Sequence, residues 1–266
     1  IEKKVDLIPI IKKNGDIDDY FTWEEVFKES KRSINNFEET PSVVIMAGGK
    51  GIRLKPFTNI LPKPLMPFGN ETVIENIINK FNDFKIRKFY ISTNYKSDII
   101  KSYLKSLKKN IKLNFIDEKH PLGTAGSLKK LNNKIKKPFI VTNCDTMANI
   151  DFVDLMNFHA KNKYAITVVA CTKDFEIPYG VCEIDSKKKL KKIKEKPIHN
   201  LLTNTGIYVV DPKIIKMIAQ NENIDFTVLI GRAKKLKYDI GVYPIPDKSW
   251  LDVGQWNEYK YALDYI

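Results

Sequence analysis

The chain has 266 residues, 43% of them hydrophobic, enough to bury the core of one large domain, or of one domain plus a fragment. Its formal charge of +13 rests on 45 basic residues of which only four are arginine (Arg32, Arg53, Arg87, Arg232); nucleic-acid recognition leans on the arginine fork, so the balance argues against a nucleic-acid partner and for a lysine-rich exterior suited to anionic small substrates. No signal peptide or membrane-length apolar run is present, the three cysteines (Cys144, Cys171, Cys182) follow no zinc spacing, and the three histidines form no ligand pair, which together point to a reduced, cytoplasmic protein with no membrane partner.

Residues 1–40 read as a unit of their own. VDLIPIIKKNGDIDDYFTWEEVFKE predicts a short apolar strand, an Asn14-Gly15 turn, a second strand over 17–21, and a helix opened by Thr22 with Glu25 at the capping-box position. That order resembles the last strand pair and helix of a CBS motif, a small adenine-nucleotide-sensing module. The piece is about half of such a module, so adenine-nucleotide regulation would require a complete CBS pair upstream; an arm packed on the main domain is the alternative. The polar stretch 33–42 serves as a linker, dividing the chain into 1–40 and 41–266, and the start at Ile1 suggests a fragment or processed form.

Residues 43–54, VVIMAGGKGIRL, carry a buried-strand pattern into a glycine-rich turn. Gly48, Gly49 and Gly51 free the backbone to converge its N–H groups on phosphate oxygens, and Lys50 and Arg53 add charge. The turn is neither a P-loop nor a dinucleotide fingerprint, because Leu54 stands where a third fingerprint glycine would fall, and taken alone it is equally a tight connection.

After a proline-rich loop, Ile74, Ile77, Ile78 and Phe81 recur at helical spacing, 88–93 is a strand, and Ile100, Tyr103, Leu104 and Leu107 mark a helix. Strand 112–116, helix 125–131 and strand 138–143 follow. The alternation predicts an α/β, Rossmann-like doubly wound, mostly parallel sheet with helices on both faces and ligands at the carboxyl ends of the strands. Beyond it we expect helix 151–162, strands at 165–172, 180–185 and 204–210 flanking a lysine-rich piece at 187–196, helices at 212–219 and 226–236, a strand at 239–245, and a last helix from Gln255.

GGKGIRLKPFT with LPKPLMPFG, then PLGTAGSL, NCD, YGV, EKP, NTGIYVVD and WLDVGQW, in this order, resemble the sugar-1-phosphate nucleotidyltransferases from residue 43 to about 260. The resemblance implies Mg²⁺ held by Asp145 and Asp252, Arg53 on the β- and γ-phosphates, and Lys63 on the α-phosphate or incoming phosphate. It implies a nucleotide seat at Ala47, Gly48, Gly49, Gly51, Glu118, Gly123, Thr124 and Gly126. A sugar-phosphate seat falls on Tyr179, Gly180, Glu195, Lys196 and Asn204. The chain departs from the family pattern at Ile52, where threonine is usual.

Base choice turns on Glu118. Pyrimidine-selective relatives carry an amide at the matching position, whereas a carboxylate only accepts hydrogen bonds. Guanine presents two adjacent donors to such a group, so the expected partners are GTP and a sugar-1-phosphate. The CBS-like piece joined to this domain resembles the guanylyltransferases of legionaminic acid biosynthesis, which use glucosamine-1-phosphate and give GDP-glucosamine. Alternatives are a mannose-1-phosphate guanylyltransferase, a glucose-1-phosphate uridylyl- or thymidylyltransferase, and a nucleotide-sensing regulator without activity; the oligomeric state, a homo-oligomer included, is left open.

Overall fold

The computed structural model describes the backbone of residues 7–11 and 17–22, and residues 37, 39–107 and 109–263 in full. At the N-terminus β1 (Leu7–Ile11) pairs antiparallel with β2 (Ile17–Thr22), Leu7 opposite Thr22. The expected Asn14-Gly15 turn and the helix after Thr22 lie outside the described residues.

The main body begins with β3 (Val43–Met46), followed past the glycine turn by the short pair β4 (Pro67–Phe68) and β5 (Glu71–Thr72). Helix α1 (Val73–Asp83) starts at a full capping box: the Thr72 hydroxyl accepts from Glu75 N at 3.3 Å and the Glu75 carboxylate accepts from Thr72 N at 3.2 Å. Then come β6 (Lys88–Thr93), α2 (Ser97–Ser106), β7 (Lys112–Asp117) and β8 (Phe139–Asn143). The three-residue β9 (Thr146–Ala148) leads to α3 (Phe152–Lys161) and the long β10 (Ile166–Glu176). A hairpin of β11 (Val181–Ile184) and β12 (Leu190–Lys194) precedes β13 (Ile198–Val210). The chain closes with α4 (Phe226–Lys235), β14 (Ile240–Ile245), β15 (Trp250–Asp252) and α5 (Trp256–Leu263).

Seven strands form the central sheet in the order β14-β10-β13-β8-β3-β6-β7, and β13 alone runs against the other six. This is the mostly parallel, doubly wound sheet that the strand–helix alternation predicts. β3 at its heart is wholly buried, and its side chains alternate between two cores. Val43 and Ile45 join α1, α2 and α3 on one face; Val44 and Met46 join α4 on the other.

The differences from expectation are local. The segments expected as helices at 125–131 and 212–219 are 3₁₀ turns, Gly126–Leu131 and Pro212–Met217. The lysine-rich stretch holds β12, whose exposure on every residue gives a helix or loop pattern no more contrast than a strand. β13 is longer than expected because its first half extends with β10 beyond the sheet, where polar residues break the apolar pattern. Among the described residues no helix is long and apolar enough to cross a membrane.

Candidate active site

The glycine turn leaves the carboxyl end of β3, where Ala47 N still donates to Ser92 O at 2.9 Å. Among the described residues, the N–H groups from Gly48 to Gly51 donate to no backbone carbonyl and so are free for an anion. Gly51 has φ 63°, and a Cβ there would lie 2.9 Å from both Lys63 Cβ and Thr58 Cγ2, so this position admits only glycine. The buried Thr58 hydroxyl donates to Gly51 O at 2.9 Å and clamps the turn on the segment that presents Lys63. Ile52 offers no hydroxyl; its side chain is 66% exposed and walls the cavity instead.

Two chain segments far apart in sequence bring the acids together. β9 and β15 pair antiparallel with Thr146 opposite Asp252, so Asp145 and Asp252 flank one end of the same short ladder. Val253 N donates to Asp145 O at 2.9 Å, and Gly254 N to Asp252 Oδ1 at 2.8 Å. Gly254 is the hub: a Cβ there would collide with Asp145 Oδ2 and sit 2.8 Å from both Asp252 Oδ1 and Lys63 Nζ. The Lys63 ammonium is ion-paired with Asp145 Oδ2. Burial and then the nearby Asp145 charge raise the Asp252 pKa above the usual carboxylate range. The same two causes push the buried Cys144 thiol up to about 12, keeping it a neutral packing group. Two close carboxylates around a position already occupied by one ammonium form a hard-oxygen donor set that fits a divalent cation.

Two cavities open on this cluster. One, of about 340 Å³, is walled by the glycine turn, Lys63, Glu118, and Leu122 to Thr124. The other, of about 370 Å³, is walled by Lys173, Phe175, Asn204, Trp250, Gln255 and Glu258 together with Asp252. They share Arg53, Asn143 and Asp145 as a common wall. Gly48 lies against Glu118, since a Cβ on it would come 3.2 Å from the Glu118 carboxylate. Glu118 is itself only 8% exposed; Ser92 Oγ donates to its Oε1, and Leu122 N donates to its Oε2 at 3.1 Å.

The structure therefore brings Gly48, Gly49, Gly51, Arg53, Lys63, Glu118, Gly123, Thr124 and Asp145 around the first cavity, and Asp252 and Asn204 around the second. Ala47 is buried in the core below the turn. Gly126 has a different place from the expected one: it packs against the Glu222 carbonyl and walls neither cavity, so its lack of a side chain serves the seam to residues 222–226. Thr124 secures that seam too, donating from its N to Asp225 Oδ1 at 2.9 Å and accepting from Phe226 N at 2.9 Å.

Tyr179, Gly180, Glu195 and Lys196 sit on the arm beyond the sheet, exposed and outside both cavity walls. Gly180 and Glu195 remain neighbours there, a Cβ on the glycine coming 2.9 Å from Glu195 Oε2. The sequence expectations did not include Lys173, Phe175 and Thr203, which share one face of the β10–β13 pair, nor Gln255, just ahead of α5, and Glu258 in its first turn, which also wall the cavity. Lys173 and Phe175 stand two residues apart on β10, and Thr203 joins their face through its pairing opposite Cys171, which the sequence alone does not show. Asn204 owes its aim to a bulge opposite Val168 and Ala170, where Gly206 takes φ 81° and Asn204 Oδ1 accepts from Gly206 N at 3.0 Å.

A glycine turn with free N–H groups, at the carboxyl end of a parallel sheet and facing paired carboxylates, defines the class of α/β nucleotide-handling domains. The chain belongs to the nucleotidyl transferase family, which it matches over residues 42–265. It is 32% identical over 225 residues to a mannose-1-phosphate guanyltransferase of Candida albicans, covering 80% of this chain and 60% of that protein. It is 31% identical over 226 residues to the one of Saccharomyces cerevisiae, with 80% and 61% covered. The chain thus spans about 60% of the length of the curated relatives it matches. Among solved structures, HddC from Yersinia pseudotuberculosis complexed with GMP-PN superposes with TM-score 0.67 at 26% identity, over 85% of this chain and 99% of that one.

Proposed function

We propose that this protein transfers a nucleotidyl group, GMP from GTP, to a sugar-1-phosphate, releasing pyrophosphate. The observation that carries the reading is the common wall: Arg53, Asn143 and Asp145 belong to both cavities, so a triphosphate in one and a sugar phosphate in the other would meet there. An acceptor phosphate is already an anion at neutral pH, so the reaction needs no general base. It needs in-line positioning and charge neutralisation. The free N–H groups of the glycine turn and Arg53 would hold the departing phosphates, and Lys63 the phosphate under attack. Mg²⁺ held by Asp145 and Asp252 would supply further neutralisation of phosphate charge when bound.

Glu118 supports guanine. Each of its carboxylate oxygens accepts one bond from the protein and keeps a lone pair, and an ionised carboxylate presents only acceptors to a base. Guanine meets these with N1–H and the exocyclic amine; uracil and thymine set carbonyl oxygens against them. With Glu118→Gln, turnover measured with GTP, UTP and dTTP should show the GTP preference reduced by roughly 10-fold or more. An unchanged preference removes Glu118 from base reading.

For the acceptor, the sequence resemblance favours glucosamine-1-phosphate, and the relatives' names favour mannose-1-phosphate. Pyrophosphate release assayed over both and over glucose-1-phosphate, with each nucleoside triphosphate and Mg²⁺, tests the whole reading. Absence of product for every pair favours a nucleotide-sensing regulator.

A further inference from the structure

β8 lies between β3 and β13 in the central sheet, so the residue at its carboxyl end stands between the cavity beside the glycine turn and the cavity beside Trp250. That residue is Asn143, in register with Met46 of β3. Side chains alternate along a strand, and Val141 belongs to the core on the α4 face, so Asn143, two residues on, is turned to the same face. Met46 and Tyr208 share that face; Met46 walls the first cavity and Tyr208 the second. Asn143 walls both.

Gly206 makes room for its amide. A Cβ on that residue of β13 would come 2.5 Å from Asn143 Nδ2 and 3.1 Å from Asn143 Cγ, so the carboxamide rests against bare backbone. Asn143 is half-buried, and its carbonyl oxygen accepts from the Thr142 hydroxyl at 3.1 Å. Among the described residues nothing is hydrogen-bonded to its side chain. Of the three residues common to both cavities, Arg53 and Asp145 are charged, and Asp145 is paired with Lys63. Asn143 is the neutral donor among them, with two N–H bonds to offer.

We propose that the Asn143 amide is a catalytic donor to a non-bridging oxygen of the α-phosphate; this rests on the nucleotidyl-transfer reading above. In that step the acceptor's phosphate oxygen bonds to the α-phosphorus as the bond to the β-phosphate oxygen breaks. The electron pair leaves with pyrophosphate, and no proton changes hands. Charge is spread over the equatorial oxygens of the phosphorus in the transition state. A donor fixed at the end of a central strand is aimed at them beforehand and needs no reorganisation as the charge shifts. Arg53 and Lys63 supply net charge, and the amide adds direction.

The test takes GTP with whichever of mannose-1-phosphate and glucosamine-1-phosphate turns over faster, and compares the wild type with Asn143→Ala and Asn143→Asp. Asn143→Ala should lower kcat by about 100-fold or more. Both KM values should stay within about threefold, as they do when an interaction made in the transition state is lost. Asn143→Asp keeps the shape but only accepts, so it should be at least as slow. The second readout is GTP with sulfur in place of one or the other non-bridging α-oxygen, assayed with Mg²⁺. One diastereomer should slow the wild type by about 10-fold, because sulfur accepts weakly, and that penalty should vanish in both variants. A diastereomer penalty equal in wild type and variants assigns the oxygen to the metal and overturns the proposal. So does an Asn143→Ala protein that keeps more than about a tenth of the wild-type kcat. A wild type indifferent to sulfur in either position overturns it even if the variants fail to fold. Each of these results leaves guanylyl transfer standing, whereas a wild type that turns over neither acceptor overturns guanylyl transfer itself.

Discussion

At the scale of single residues, the carboxylates and the cations differ in how much their surroundings leave to chance. Asp145 is 7% exposed and paired with Lys63, and its charge adds to burial, the larger cause, in raising the pKa of Asp252. Asp145→Asn or Asp252→Asn should therefore lower turnover by roughly 100- to 1,000-fold while leaving the circular-dichroism spectrum and melting transition in place; a variant that keeps most of its activity does not hold the metal. Both acids were legible in the sequence because each stands in a compact motif, NCD and WLDVG. Lys173 was not, being one lysine among many with no motif around it. Its ammonium over Trp250 in the cavity wall, against the exposed place of Lys196 on the arm, distinguishes the two. Lys173→Met should raise the KM for the sugar phosphate by about 10-fold, measured by initial rates at saturating GTP. If Lys196→Met produces the larger rise, the arm must close over the bound sugar and bring its lysine to the phosphate.

At the scale of elements, the site depends on ladders too short to read from periodicity. Three residues in β9 and three in β15 pair to set the acids side by side, and no hydrophobic pattern of that length separates strand from loop. The glycine that separates the acids in space, Gly254, stands in the same WLDVG motif as Asp252, but its place against Asp145 shows only in the fold. Gly254→Ala would press a methyl group into Asp145 Oδ2 and crowd Asp252 and Lys63. We expect turnover to fall at least as far as in the aspartate variants, with the fold retained, since the atoms displaced are side-chain ends at a cavity. Gly126→Ala differs because its methyl meets the backbone carbonyl of Glu222, which cannot swing away. That change should cost about 1–3 kcal/mol of stability in urea unfolding, by the usual penalty of overpacking. A neutral outcome there would mean that the 222–226 segment yields easily. The seam between LGTAG and 222–226 was invisible in sequence because its partners are about 100 residues apart and mostly backbone.

At the scale of the molecule, two cores on opposite faces of one sheet must form together, and His159 sits where α3 meets the sheet. It is 2% exposed, its Nδ1 lies 2.8 Å from Thr167 Oγ1 on β10, and burial is the main reason its pKa falls from 6.5 to about 4; the Asp211 charge opposes that shift and Lys213 adds to it. The depressed value fixes the sign of a pH effect. Above about pH 6.5 the ring is neutral in both folded and unfolded chains and contributes nothing to the slope. As pH falls from 6.5 toward 4 the unfolded chain takes up a proton that the folded one refuses, so stability drops, and below about 4 the contribution levels off. The drop from this one group amounts to about 3 kcal/mol at most. Carboxylates add their own slope at the acid end, so the comparison with His159→Asn isolates the ring: asparagine keeps a polar atom near Nδ1 and does not titrate. Urea midpoints taken at steps from pH 7.5 to 4 should show the wild type ahead at neutral pH, with the gap to the variant narrowing through this window. A constant gap would mean that the buried ring never resists its proton, and that the α3 contact owes its stability to packing alone.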